Sequence, residues 1–379
     1  MAHCPWPVVW GSVIRNALVP HATRHTLYSF VAAAALSLLF GTTPSEGANR
    51  IAILPFENVS GHVQAPVLIM PLLAPALRDR GYEVVESEAL ESFLAQRRIR
   101  ATNRLSQEQL LDLRGQFGAA LALMGSIDLF ADTAGNPQWG LSARIRDISS
   151  GQIVWADAAG FTGDDFTGFL GLGTITSPEQ LAVKTTQALF RNLTPDGMAL
   201  EERQTRRSGP GKVSRLGFRS PRLDTDPPKR IAVFPFENGT ERRGAALIVD
   251  DLMTIGLVRA GRFQMEDPGE VYRILQVLGF VPYGGIDLET LRVIRDNFGV
   301  DAVIVGRVEE YSEGLRPGAS TSPSIALDAR MLDVRTGEIL WMGSHEARAE
   351  DLQIVLEFGK IKSMVPLGMK AIAELVATM

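Results

Sequence analysis

The chain has 379 residues, of which 45% are hydrophobic and 21% are charged. This balance is typical of a folded globular protein and excludes a disordered one, and the length is enough for two domains that each bury a core. The net charge of −5 excludes a global basic field of the kind that holds nucleic acid, so no nucleic-acid partner is predicted.

The first 48 residues differ in composition from the rest. Basic residues precede an uncharged run of 14 residues, Leu27–Phe40, which is shorter than the roughly 20 residues that span a bilayer. The run is typical of the hydrophobic region of a secretory signal, although Glu46 occupies a position in the cleavage region where a small residue is preferred. We therefore predict a signal peptide over residues 1–48 and a periplasmic protein, with outer-membrane association left open. An uncleaved leader that tethers the chain to the inner membrane is the alternative.

The one cysteine, Cys4, lies in this leader. No cysteine follows the apolar run, so a lipid-anchored lipoprotein is not predicted. A mature chain without the leader would have neither disulfides nor cysteine-ligated metals.

After the leader, the stretch Arg50–Asn58 returns as Arg230–Asn238, with seven of its nine residues identical. Each copy has the pattern of a short buried strand that a proline interrupts and a polar turn closes. The segments that follow also match in order, and their offset grows only from 180 at Ile51 to 186 at Trp155. The chain is therefore interpreted as one domain written twice.

A helix is predicted after each first strand. The second of these, Gly244–Ala260, has a regular helical pattern. The first, Ala65–Arg80, contains Pro71 and Pro75, and a proline costs about 3 kcal/mol inside a helix. We therefore predict that the first helix is kinked or broken.

Later elements also repeat. Ser106 and Asp287 are predicted N-caps of a further helix in each half. A hairpin of strands follows, and in its second strand apolar residues alternate with residues such as Ser142, Arg144 and Arg146. Alternation with one apolar face predicts an antiparallel strand that lies on a helical layer.

These patterns predict an α/β fold, more closely an α+β sandwich, of two tandem domains at residues 49–193 and 229–379. Each domain is predicted to be a mixed sheet packed with helices. Residues 194–228 are rich in Arg, Pro, Gly and Ser and are predicted to form an exposed linker.

Three motifs together resemble the CsgG/LpoB-like family of bacterial envelope proteins: the strand Ile231–Asn238, the pair Phe298-Gly299 before an apolar strand, and the turn Asp333–Trp341. The resemblance covers both halves and implies two tandem domains of the anticodon-binding-domain type. It also implies an accessory or assembly role in which the protein binds envelope proteins, in a secretion, curli-like or cell-wall complex, and it leaves a homo-oligomer open. No integral membrane pore is expected, because neither half carries added long amphipathic hairpins.

No catalytic constellation, cofactor site or metal site is predicted, and the protein is expected not to be an enzyme. The polar loop after each first strand is the candidate binding site, because ligands and anions often bind between the end of a strand and the start of a helix. A small-ligand sensor that uses these loops is the alternative function. Closure of the turn and capping of the helix, without a ligand, is the favoured interpretation. The candidate residues are Glu57, Asn58, Glu237, Asn238, Arg242 and Arg243.

Overall fold

The computed structural model describes residues 49–133, 135–167, 173–194, 197–198, 215–279, 286–314, 322–352 and 361–379. The leader predicted over residues 1–48 lies outside the described residues. Within the described ranges the chain forms two mixed sheets packed with α-helices, so the predicted α+β architecture is confirmed.

The first half alternates strands and helices and then forms a three-stranded meander. In chain order its main elements are β1 (Arg50–Ile53), β2 (Glu57–Asn58), α1 (Gln64–Arg78), β3 (Glu83–Val84), α2 (Ser87–Gln96), α3 (Gln107–Phe117), β4 (Leu121–Ala131), β5 (Gln138–Asp147), β6 (Ile153–Thr162) and α4 (Pro178–Leu189). Two short strands, β7 (Leu193–Thr194) and β8 (Gly197–Met198), pair with each other after α4.

The second half repeats this order after a short entry segment. Its elements are β9 (Arg215–Arg219), α5 (Arg222–Thr225), β10 (Arg230–Val233), β11 (Glu237–Asn238), α6 (Ala245–Ala260), β12 (Gln264–Met265), α7 (Pro268–Leu278), α8 (Leu288–Phe298), β13 (Ala302–Ser312), β14 (Ser324–Asp333), β15 (Ile339–Arg348) and α9 (Met364–Val376).

The two sheets share one strand order. Sheet 1 runs β3-β1-β4-β5-β6, and sheet 2 runs β12-β10-β13-β14-β15 with β9 added at its edge. In each sheet the first strand is parallel to both of its neighbours, and the meander strands are antiparallel. A β-bulge also recurs, because the pairing skips Asp128 in β4 and its counterpart Glu309 in β13.

Strand β9 lies inside the segment that the sequence assigns to an exposed linker, residues 194–228. It pairs antiparallel with β15, where Phe218 lies opposite Met342, and its apolar side chains remain about half exposed. This part of the segment is therefore an edge strand of sheet 2.

The repeated Pro-Phe-Glu-Asn sequence has the same packing role in both halves. Phe56 and Phe236 each lie against a glycine of the first meander strand. A Cβ atom on Gly125 would lie 2.7 Å from Phe56 Cζ, and one on Gly306 would lie 2.3 Å from Phe236 Cε1. Real Cβ atoms do not approach so closely, so each glycine makes room for its phenylalanine.

Helix α1 is continuous, so the predicted break is wrong. Pro71 and Pro75 lie four residues apart on the exposed side of the helix. Without their N–H groups, the carbonyl oxygens of Val67 and Pro71 lack the usual helical donor. Both oxygens belong to the exposed side, where water can replace that donor. The core side of the helix keeps its fully buried residues Ala65, Ile69, Leu73 and Leu77.

The two halves share a layer of helices. Helices α1 and α4 pack on one face of sheet 1, and α6 and α9 pack on its other face over the meander strands. The same α6 and α9 cover the inner face of sheet 2. The layers therefore follow the order α1/α4, sheet 1, α6/α9, sheet 2, and residues 47–379 form one compact unit.

Glycines allow the halves to approach closely at this junction. A Cβ atom on Gly140 of sheet 1 would lie 2.6 Å from Val365 Cγ2 of α9. Gly269, in the first turn of α7, lies so near the first half that its Cβ atom would be 2.1 Å from the carbonyl oxygen of Leu105. Side chains at these positions would push the two halves apart.

Gly269→Ala is expected to destabilise the folded protein by about 1–3 kcal/mol, the usual cost of overpacking, because the added methyl group would overlap the Leu105 carbonyl. Gly115→Ala is the matched control, because Gly115 is also helical but has no atom within 4 Å of the added Cβ. The control is expected to stabilise the protein by roughly 0.5–1 kcal/mol. Urea unfolding measures both, and equal effects would contradict the close contact of α7 with the first half.

Candidate functional site

The asparagines of the two candidate loops hold the shape of their own loops. Asn58 Nδ2 donates to the carbonyl oxygen of His62 at 2.7 Å, and Asn238 Nδ2 donates to that of Arg242 at 2.9 Å. Their Oδ1 atoms accept hydrogen bonds from Ser60 and Thr240, respectively. The loops are therefore closed in the same way in both halves.

The charged residues of the loops do not form one site. Glu237 accepts a hydrogen bond from Arg307 Nη1 at 2.6 Å, at a position where both side chains are partly exposed. Glu57 is half-buried in β2, and Arg243 is exposed ahead of α6. The loops thus present separate polar groups, and the structure does not gather the six candidate residues around a common point.

Arg242 has a different role, because it reaches from the second half into the first. Its Nε donates to Glu313 at 2.8 Å, and its Nη2 donates to the backbone oxygens of Val59 and Asp128, each at 3.2 Å. Nearby Gly244 lies against the Val59 side chain, since its Cβ atom would be 2.3 Å away. This loop therefore fastens the second half to β4 of the first half.

A buried ion pair forms the centre of the junction. Arg144 of β5 donates through Nε to Asp267 Oδ2 at 2.7 Å, and Arg146 Nη1 lies 3.3 Å from Asp267 Oδ1. Arg144 also donates to the side chain and the backbone of Asn103. Burial alone would raise the pKa of Asp267, but the two guanidinium groups outweigh it and hold that pKa below its ordinary value.

The ion pair continues to a helix end. Glu270 accepts from the backbone N–H of Gln107, which opens α3 of the first half, and it lies 3.7 Å from Arg146. A carboxylate at a helix N-terminus is favourable, because the helix dipole is positive there. Two arginines of sheet 1 thus face two acids at the start of α7, its N-cap Asp267 and Glu270 in its first turn.

A second polar cluster lies beside the first. Ser126 and Ser142 of sheet 1 contact both the buried carboxyl of Asp128 and each other. From the second half, Asp251 of α6 reaches Ser126 and Asn103, each at 3.2 Å. Burial raises the pKa of the Asp128 carboxyl well above its ordinary value, and the nearby Asp251 raises it further.

The sequence did not reveal this junction. It places Ser142, Arg144 and Arg146 on the polar face of a strand, and such a face is normally solvated. All three are buried here, at most 4% exposed. The sequence feature that could have indicated a covered face is the small size of the neighbouring residues, since Gly140 and Gly160 on the same face leave room for helices.

The outward face of α1 is an apolar, exposed surface of the first half. Val63 and Val67 are 87% and 71% exposed, and Pro71 and Pro75 continue the same side of the helix at intervals of four residues. No charged residue occurs from Val63 to Leu77. An uncharged apolar stripe of this kind marks an interaction surface more often than a scattered exposed residue does.

The equivalent face of α6 lies against sheet 1 from its middle onward. At the offset of 180, Pro71 corresponds to Asp251 and Pro75 to Ile255. Asp251 binds the first half, and Ile255 is buried beside Arg144 of sheet 1. Helix α6 thus lies between two sheets, whereas α1 has a sheet on one side only within the part of the chain that the structure describes.

The outer face of sheet 2 differs from the matching face of sheet 1. Small residues that receive α6 and α9 on sheet 1 are replaced on sheet 2 by larger or charged ones, several of which form surface ion pairs. In the repeat, Ser126 of sheet 1 corresponds to Arg307 of sheet 2, Ser142 to Asp328, Ala156 to Met342 and Gly160 to Glu346.

Two common functional features are absent from the described ranges. None of the helices there combines the length and the apolar character required to cross a bilayer. Nor do three or more His, Cys, Asp or Glu side chains gather there in a group suited to a metal ion.

Comparison with known proteins gives a family match for the second half. Residues 222–378, less than half of the chain, match the family described as putative lipoprotein GNA1162-like. No curated protein sequence matches the chain significantly.

Several solved structures are similar to parts of the chain. The PelC dodecamer from Paraburkholderia phytofirmans has 16% identity and a TM-score of 0.29, and the match covers 40% of this chain and 87% of that one. Lipoprotein GNA1162 from Neisseria meningitidis has 22% identity and a TM-score of 0.27, over 32% of this chain and 85% of that one. The LpoB C-terminal domain from Salmonella enterica has 18% identity and a TM-score of 0.22, over 31% and 82%. Similarities at these values carry no argument about function.

Arg144→Met is expected to destabilise the protein by about 3–5 kcal/mol, because it leaves the buried Asp267 with one of its two cationic partners missing. Arg330→Met is the matched control, since Arg330 occupies the equivalent position in β14 but is partly exposed. The control is expected to change stability by no more than about 0.5 kcal/mol. Chemical unfolding of both variants measures the difference, and a mild effect of Arg144→Met would show that the ion pair does not hold the junction.

Proposed function

We propose that this protein is an exported accessory protein of the bacterial cell envelope that acts by binding other proteins and catalyses no reaction. The leader-like run Leu27–Phe40 supports export. The match of residues 222–378 to a family of putative lipoproteins supports the envelope as the place of action. The first half is proposed to be a diverged second copy of the same domain, supported by the repeated sequence, strand order and bulge.

The observation that carries the binding function is the outward face of α1. Its counterpart in α6 packs on a sheet, so this helical position in the fold is suited to receiving a layer on its outer side. The stripe of Val63, Val67, Pro71 and Pro75 contains no charge. The partner would present an apolar, uncharged surface.

One way for a second copy of this chain to cover the stripe is disfavoured. The outer face of sheet 2 carries Arg307, Asp328 and Glu346, and burying these charges against valine and proline would be costly. The proposed occupant of the stripe is a different protein, and pairing with the stripe of a second copy is the competing outcome that crosslinking detects.

The ligand-sensor alternative is not carried forward, because Asn58 and Asn238 are used in closing their own loops. The loops contribute instead to the shape of the junction through Arg242.

Crosslinking in cells tests the stripe. A photo-reactive amino acid at Val67 is expected to give an adduct with another envelope protein, because this position would face the partner. The same group at Val277 of α7, which is 59% exposed, is the matched control and is expected to give no such adduct. Val63→Asp should reduce the Val67 adduct several-fold, since it places a charge in the proposed contact. Adducts of equal yield from both positions, or an adduct with a second copy of the chain, would contradict the proposal.

Fractionation tests the location separately. The chain is expected in the periplasmic or membrane fraction, shortened if the leader is cleaved and full-length if it serves as a tether. Recovery of the unprocessed chain in the cytosol would refute export. This result does not depend on whether the α1 stripe binds a partner.

A further inference from the structure

The hydroxyl of Ser126 is the meeting point of two carboxyl groups from opposite halves. Its Oγ atom makes a short hydrogen bond with Asp128 Oδ1 of its own strand and lies 3.2 Å from Asp251 Oδ2 of α6. It also lies 2.8 Å from the hydroxyl of Ser142, which in turn is 3.2 Å from Asp128 Oδ1. Ser126, Ser142 and Asp128 are all at most 1% exposed.

These contacts need more protons than two ionised carboxylates allow. Each serine hydroxyl carries one proton, and an ionised carboxylate carries none. If both carboxyls were ionised, only the two hydroxyl protons would be available as donors for the four contacts among Ser126, Ser142, Asp128 and Asp251. One further proton on Asp128 resolves the shortage at Ser126: Asp128 donates to Ser126, Ser142 donates to Ser126, and Ser126 donates to Asp251.

We propose that Asp128 is protonated in the folded protein and that its proton, relayed through Ser126 to Asp251, makes the junction between the two halves sensitive to pH. Atom Oδ2 of Asp128 is buried and has no hydrogen-bond partner within the described residues. An ionised carboxylate there would therefore leave one of its oxygens without a donor, which is costly.

The cations near the cluster are already engaged. Arg144 of β5 binds Asp267 and Asn103, and Arg242 binds Glu313 and donates to the backbone oxygen of Asp128, not to its carboxyl. Arg104, which lies ahead of α3, interacts with Asp250 of α6. The remaining ionisable groups near the cluster are acids or a phenol, so they do not favour ionisation of Asp128. They are Glu57 of β2, Asp250 of α6, Tyr311 of β13 and Glu313 after β13.

Loss of the proton would weaken the junction. If Asp128 were ionised, Ser126 would donate its hydrogen bond to Asp128 instead of to Asp251. Asp251 would lose this donor, and two negative charges would face each other across the junction. The pKa of Asp128 is raised in the folded state by burial. The stability that protonated Asp128 contributes is therefore complete below the pKa that Asp128 has in the unfolded chain. It is lost as the pH rises through the pKa that Asp128 has in the folded protein.

Unfolding by urea between about pH 5 and about pH 9 tests this proposal. One proton held only by the folded state makes the unfolding constant rise by up to about tenfold per pH unit. Asp128→Asn supplies a permanent donor to Ser126. The slope of the logarithm of its unfolding constant against pH should therefore be lower than that of the wild type, by up to about one. Glu309→Gln is the matched control, since Glu309 is the equivalent bulge residue in β13 but is exposed, and it should follow the wild type.

Carboxyl ¹³C NMR of the wild-type protein provides a second readout that does not require the variant to fold. The Asp128 carboxyl is expected to be protonated at a pH where the exposed carboxyls of the protein are ionised. Ser126→Ala should shift the titration midpoint of Asp128, because it removes the relay to Asp251. An Asp128 signal that titrates with the exposed carboxyls, or an Asp128→Asn profile as steep as that of the wild type, would overturn the proposal.

Discussion

The ion pair between the arginines of β5 and Asp267 is the interaction on which the arrangement of the two halves depends. Removing a charge from water costs several kcal/mol, and the cost is offset only when opposite charges meet in good geometry. Arg144 and Arg146 meet Asp267 in one relative placement of the halves. Any shift of α7 along sheet 1 would leave buried charges unpaired, so the pair specifies the junction more than it stabilises it.

This constraint accounts for the differences between the two halves. The meander face of sheet 1 has small residues where α6 and α9 lie on it, and its two arginines pair with the acid that caps α7. On sheet 2 the matching face is covered by α7 and α8 at one end, and beyond them it has the charged composition of a solvated surface. The repeated sequence persists where both copies still need the same packing, as with Phe56 on Gly125 and Phe236 on Gly306.

The features that the sequence predicted correctly are those that depend on residues close together in the chain. Ser106 and Asp287 cap their helices as expected, because capping involves residues three positions apart. The continuous α1 shows where a local rule fails, since the cost of a proline depends on whether the orphaned carbonyl can reach water. The junction could not be predicted, because Arg144 and Arg330 have the same residue type and the same alternation. Only the packing of the other half distinguishes the buried arginine from the exposed one.

The contrast between the two meander faces makes the two ends of the layered structure different. In repeat proteins each unit seats the next one, and the array grows until a terminal unit with a polar outer face caps it. Sheet 1 seats the second half, whereas sheet 2, with Arg307 and Glu346 in place of a serine and a glycine, offers no comparable seat. Within the described residues, sheet 2 therefore forms the polar end of the stack of layers, and α1 forms its apolar end.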